Sequence, residues 1–209
     1  MEKELAEILK VVNSLYLKYG IKRVTMHDIA IELGMSKKTL YQYFENKEAL
    51  VYKVLFNEMK SIFDSIGELK NQNLNVIDEA FERNKIISNA IRKSSPALNY
   101  DLKRYFPKIY KKLSEYKTEK TYSSIVANIN KGVEQGLFRD DLNVDIIAKI
   151  HICRIENLAD NDSVDFSEYS PNQVFNEVFI YHNRGICSGK GLKLLEKKLQ
   201  EIKKEQKND

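Results

Sequence analysis

The stretch from Val24 to Leu50, VTMHDIAIELGMSKKTLYQYFENKEAL, restricts the fold more than any other part of this chain. Two helices that cross at a steep angle need a small residue where they touch and a flexible one where the chain turns. Ala30 and Gly34 stand at those two positions. Thr25, with Asp28 three residues on, has the capping-box pattern for a helix from Met26 to Leu33. Gly34 then ends that helix in a left-handed conformation that costs a side-chain-bearing residue energy. Ser36 caps a second helix of about nine residues running to Phe44, and Ile29, Leu33, Met35, Leu40 and Phe44 have the spacing of one shared core. At ~100° per residue, Leu40 and Phe44 point inward and Lys38, Tyr41 and Gln42 outward. The pattern predicts a helix-turn-helix.

A short helix that opens with lysines suits the major groove, where cations and helix-end amides meet phosphates and long polar side chains reach base edges. Lys37 and Lys38 are the first candidates. On an isolated helix, Lys37, Lys38 and Gln42 would equally describe a solvated face; the Ala30–Gly34 spacing and the buried pattern around it favour the groove.

These residues resemble the N-terminal domain of the TetR/AcrR family of transcriptional regulators, most specifically in Leu40-Tyr41-x-Tyr43-Phe44-x-Asn46-Lys47-Glu48-x-Leu50. The resemblance implies an all-α fold. A three-helix DNA-binding domain, residues 1–46, would be followed by a larger helical ligand-binding and dimerisation domain, residues 47–209. It further implies repression of transcription, relieved by a small molecule. Carried over position by position, Thr25, Ser36, Tyr43 and Lys47 would touch phosphates, and Lys37, Lys38, Tyr41 and Gln42 would approach the bases. Many relatives have a glycine where Lys38 stands. The implied partners are a double-stranded DNA operator, a second copy of the chain and a small-molecule effector of unidentified class, with no cofactor and no membrane.

At 209 residues the chain is long enough for a full core and falls between one domain and two. Only three prolines and eight glycines interrupt it, which favours helices throughout. The net charge of +4 is compatible with nucleic-acid binding without requiring it. The excess lies outside the helix-turn-helix: residues 92–120 hold Arg92, Lys93, Lys103, Arg104, Lys108, Lys111, Lys112, Lys117 and Lys120 against Asp101, Glu115 and Glu119. That run is either a long-range field near DNA, an attractor for an anionic ligand or a solvated helix face. No apolar stretch approaches the ~18 residues of a membrane span, so a cytoplasmic protein is expected. Cys153 and Cys187 lack the paired spacing of a zinc or redox motif.

Along the chain, Leu5, Ile8, Leu9, Val12, Leu15, Tyr16 and Tyr19 predict a first helix ended by Gly20. Lys22 and Arg23 follow, placed either to touch a phosphate backbone or to face water. Asn46 caps a fourth helix extending to about Gly67 that belongs to both domains, so its movement would reposition the reading helix. Further helices are expected from Asn75 to Lys93, from Ser95-Pro96 to Pro107, from about Lys108 to Gln135, from Val144 to about Ala159, from Pro171 to about Arg184 and through Leu192, Leu195, Leu199 and Ile202. The segment Gln135-Gly-Leu-Phe-Arg-Asp-Asp-Leu resembles a loop common in the family ahead of its dimerisation helices. The helix from Pro171 is apolar on more than one face and so needs two partners, its own domain and a second subunit.

Other motifs fail on inspection. Asp160 and Asp162 occupy the first and third positions of a calcium loop, but Val164, Asp165 and Pro171 stand where further ligands and the turning glycine belong. Gly185-Ile-Cys-Ser-Gly-Lys-Gly is one residue short of a phosphate-binding loop and lacks its terminal Ser or Thr, so it reads as a helix end. His27, His151 and His182 form no local metal motif, and no nucleophile elbow or acid/base pair gives positive evidence for catalysis. A pocket in the larger domain is an expectation of the resemblance; Phe81, Asn84, Tyr100, Phe106, Tyr110, Tyr122, His151 and Glu156 are its candidate lining. The rival readings are a ligand-independent nucleoid-associated or protein-controlled DNA-binding factor, and a helical enzyme or adaptor that does not bind DNA.

Overall fold

A computed structural model describes residues 2–160 and 167–208 and, among them, contains ten α-helices, one 3-10 turn and no strand. The calcium-like residues Asp162, Val164 and Asp165 lie outside the described residues. The chain packs as two compact units, residues 1–64 with 93–117, and residues 65–92 with 118–209.

The first unit is built on α1 (Glu2–Tyr19), α2 (Met26–Glu32), α3 (Lys37–Tyr43) and the greater part of α4 (Lys47–Glu68). The i, i+4 spacing of Ile8, Val12 and Tyr16 makes one buried stripe on α1, against which Ile29, Leu40, Phe44, Leu50 and Val54 close. Complete burial of such side chains stabilises by about 1.5–3 kcal/mol each, so this core, rather than the intrinsic propensity of two seven-residue helices, holds α2 and α3 in place. The boundary expected after residue 46 follows the chain; packing also brings α6 (Pro96–Tyr105) and the start of α7 (Pro107–Glu134) here, through Leu98, Leu102, Ile109 and Leu113. Ser95 caps α6 with Pro96 at its first position, as the sequence indicates.

The second unit contains α5 (Val76–Lys93), the longer part of α7, α8 (Val144–Asp160), α9 (Pro171–Ile186) and α10 (Gly189–Asn208). Its core joins Val76, Ile77 and Phe81 of α5 to Ile125 and Ile129 of α7, Ala148 and Ile152 of α8, Ile186 of α9 and Leu195 of α10. Ser170 and Gln173 form a capping box at the start of α9. The phosphate-loop look-alike is the junction of α9 and α10, where Cys187 bridges to Phe138 and the Ser188 amide donates to the Leu137 carbonyl at 2.9 Å. Gly191 is dictated by that approach: a Cβ there would lie 1.9 Å from the Leu137 carbonyl oxygen. Among the described residues, no helix is long and apolar enough to cross a membrane, and no three potential ligands gather as a metal site.

Candidate nucleic-acid interface

Caps before α2 and before α3, with a left-handed glycine between them, set the α2–α3 unit. The Thr25 amide donates to Asp28 Oδ2 at 2.8 Å, and the Asp28 amide donates back to Thr25 Oγ1 at 3.2 Å. The bond from the Thr25 amide holds the Asp28 carboxyl below the ordinary aspartate range. Leu33 caps the end of α2, Gly34 takes φ +63°, and the Met35 amide reaches back to the Ala30 carbonyl at 3.0 Å. Ser36 then accepts from the Thr39 amide at 3.0 Å, starting α3. With Ser36 and Phe44 as caps, α3 itself is seven residues long, shorter than the expected nine.

Leu40 and Phe44 are buried beneath α3, which leaves Lys38, Tyr41 and Gln42 exposed on the outward side and Lys37 exposed at the helix start. Tyr41 keeps 46% of its surface in solvent. Thr25 and Ser36 are also exposed. The face is cationic at the helix start and carries an aromatic and an amide one turn on, which is suited to phosphate and base edges.

Two expected phosphate-binding residues already have protein partners. The Tyr43 hydroxyl donates to Glu4 on α1, which raises its pKa. Lys47 Nζ donates to the Ile21 carbonyl at 2.7 Å and the Lys22 carbonyl at 3.3 Å, and lies 6.0 Å from the Phe106 ring centroid. Burial lowers the Lys47 pKa, opposed by Asp101 and Asp28. An ammonium has three donors, so Lys47 pins the connection before α2 and retains a proton for an external acceptor.

The same connection is held from α6. The Lys22 amide donates to Asp101 Oδ2 at 2.7 Å, and Lys22 Nζ donates to the Tyr105 hydroxyl at 2.8 Å while lying 4.2 Å from its ring centroid. Lys22 is thus tied to protein, while Arg23 is exposed. The roles of Asp101 and Tyr105 were missed from sequence. One signal existed: Asp101 is the sole carboxylate between Lys93 and Lys112.

The candidate ligand residues divide between the units. In the first, Tyr100 is 62% exposed, Phe106 caps α6 against the core and Tyr110 lies under Lys103 at 5.4 Å. In the second, Phe81 meets Phe179 edge-on at 5.2 Å, Asn84 donates to Asn176 at 2.9 Å, Tyr122 donates to Asp145 at 2.8 Å, and the His151 ring lies 3.9 Å from that of His182. Burial, aided by Arg154, pushes His151 down to about 3 and His182 to about 4, so both are neutral at physiological pH. The Glu156 side chain lies outside the described residues. Sequence reading missed the buried Glu79, which is bound by Arg83 at 2.8 Å and Lys131 at 2.6 Å.

Residues 8–54, which include the whole α2–α3 unit, match the model of the tetR family of bacterial regulatory proteins. The HTH-type transcriptional regulator YvaF of Bacillus subtilis (strain 168) is 27% identical over 157 residues, covering 74% of this chain and 80% of that protein. The HTH-type transcriptional repressor KstR2 of Mycobacterium tuberculosis (strain ATCC 25618 / H37Rv) is 23% identical, covering 68% and 72%. A transcriptional regulator from Cytophaga hutchinsonii ATCC 33406 shares the fold, with a TM-score of 0.72 at 22% identity, over 88% of this chain and 98% of that one.

Proposed function

We propose that the chain is a DNA-binding transcriptional regulator of the tetR family, whose model its residues 8–54 match, and that it acts as a homodimeric repressor that binds a twofold-symmetric operator through two copies of α3 and is released by a small-molecule effector. The observation that carries this reading is the face of α3, where Lys38, Tyr41 and Gln42 are exposed above a fully buried Leu40 and Lys37 is exposed at the helix start. Lys38, Tyr41 and Gln42 read bases from the major groove with Lys37, while Thr25, Ser36, Tyr43 and Lys47 fix register on the phosphates. In this reading, residues 1–46 are the reading head and residues 47–209 carry regulation and assembly. The repressing sign is supported by the likeness to KstR2, itself named a repressor.

Dimerisation is supported by the apolar surface that α8 and α9 leave exposed. Ile146 and Ile150 are 51% and 49% exposed, and Cys153 continues their i, i+4, i+7 stripe on α8; Tyr181 on α9 is 70% exposed. Pairing these helices with their copies would make a four-helix contact about a twofold axis. Two α3 helices so related would enter the groove one turn apart, about 34 Å, or at a wider spacing in register with it. The α4 helix, continuous from Lys47 to Glu68, is the route by which an effector would alter that separation. The site of action is the cytoplasm, and the reading assigns the chain no reaction.

Selection of bound fragments from random DNA tests the proposal. The expected product is an inverted repeat occupied by two subunits. Enrichment of no sequence, or of a single half-site occupied by one subunit, would overturn it.

A further inference from the structure

The interior of the second unit holds more polar chemistry than its own packing uses. Arg83 Nε, Asn84 Oδ1, Asn128 Nδ2 and His151 Nδ1 are buried without a hydrogen-bond partner, on three different helices. Unpaired buried polar groups in a native core are met by ordered water or by a bound ligand.

These atoms belong to one neighbourhood. Arg83 and Asn84 are adjacent on α5, and the Arg83 guanidinium donates to the Ser124 hydroxyl on α7 and to its carbonyl. Asn128 follows Ser124 by one helical turn. The charge of Arg83 is felt at His151 on α8, whose ring lies against His182 of α9. Phe81, one turn from Asn84 on α5, packs edge-on against Phe179 of α9.

The charge of this region has a definite sign. Glu79 is 3% exposed and shared by Arg83 and Lys131, so its single negative charge meets two cations. Arg154, stacked over Tyr181 at 4.6 Å, adds a third positive charge near His151 and His182. Two further carboxylates of the unit are engaged elsewhere: Asp78 with Lys198, and Asp145 with Lys149 and Tyr122. The fixed charges that act on His151 are those of Arg154 and Arg83, with no carboxylate among them. A cationic ligand would meet like charge, and a neutral one would leave the surplus uncompensated.

Resting on the reading above that an effector controls this regulator, we infer that the effector is a small organic acid whose carboxylate is received by Arg83 beside Asn128, with its apolar body against the Phe81 and Phe179 side of the core. The guanidinium edge that presents Nε is planar and forked to match a carboxylate. Asn128 supplies a neutral donor, and His151, uncharged, accepts or donates at Nδ1 according to tautomer. Binding would draw α5, α7 and α8 toward one group.

The test uses the full chain, its selected operator and a panel of benzoate, phenylacetate, indole-3-acetate, hexanoate and decanoate, each paired with its primary amide and corresponding amine. At least one acid is expected to raise the thermal midpoint and to weaken operator binding, with its amide and amine doing neither. Arg83→Gln should weaken that acid by about ten- to a hundredfold, the size of one charge-assisted hydrogen bond. Asn128→Asp, which places a carboxylate in the acid's path, should do the same and decides the matter if Arg83→Gln loses its helical circular dichroism. The inference is overturned if no acid of the panel acts, if an amide or amine acts as strongly, or if the acid keeps its affinity in the folded variants. Failure of the wild-type chain to select any operator overturns the functional reading instead; operator binding that no acid alters overturns this inference alone.

Discussion

Lys47 carries two burdens, and its variants separate them. Its ammonium holds the Ile21 and Lys22 carbonyls and faces a phosphate in the proposed complex. Lys47→Ala is expected to weaken binding to all DNA sequences alike and to make the salt dependence shallower by about one unit, because a lost phosphate contact releases one counterion fewer. It should also lower stability by about 1 kcal/mol, since a partly buried carbonyl loses its donor. Anisotropy titrations over a salt series and urea unfolding measure the two effects; full stability with unchanged salt slope would remove Lys47 from both roles. The histidines make a second residue-scale prediction. His151 and His182 titrate at about 3 and about 4 when folded against an ordinary 6.5. The unfolded chain therefore takes up protons first, and the stability of the neutral pair is complete above pH 6.5 and is lost as the pH falls toward 4 and 3. At about pH 5 the loss is of the order of 2 kcal/mol per histidine. Urea midpoints at pH 7 and pH 5 should differ accordingly in the wild type and much less in His151→Asn/His182→Asn.

At the scale of elements, the caps and turns were legible because each requires a particular residue type at one place. Thr25, Ser36, Asn46 and Ser95 all cap the helices expected of them. Membership of α6 was not legible: Leu98 and Leu102 read only as an apolar face, and nothing local says that this face closes on the core beneath the reading helix. The same limit hid the bond from the Lys22 amide to Asp101 and the Lys131–Glu79 ion pair, which join residues 79 and 52 positions apart. Contacts at that distance have no periodicity to betray them, whereas the i, i+4 stripes of α1 and α3 and the i, i+4 pair Glu79–Arg83 do. Two glycines give an element-scale prediction. Gly34→Ala meets no atom within 4 Å and should cost only the left-handed backbone energy, about 1 kcal/mol. Gly191→Ala, driven into the Leu137 carbonyl, should cost several times more in urea unfolding; equal costs would contradict the close approach of α10.

The molecule as a whole is proposed to work as a pair, and its apolar α8–α9 surface sets the test of that. Ile150→Glu puts a charge at the centre of the stripe formed with Ile146 and Cys153. Sedimentation should show a dimer for the wild type and a shift toward monomer for the variant, with operator affinity falling in step; a variant that stays dimeric places the contact elsewhere. The all-helical class, the helix order and the α3 face were readable from one chain because they rest on period and capping, while the grouping of distant segments into two units came only with the fold. The central claim, that the exposed face of α3 reads DNA sequence, is tested most directly by repeating the random-DNA selection with Lys38→Ala and Gln42→Ala beside the wild type. The account predicts an altered base preference at symmetric positions in both half-sites, with the half-site spacing unchanged. A preference identical to that of the wild type in both variants would contradict it.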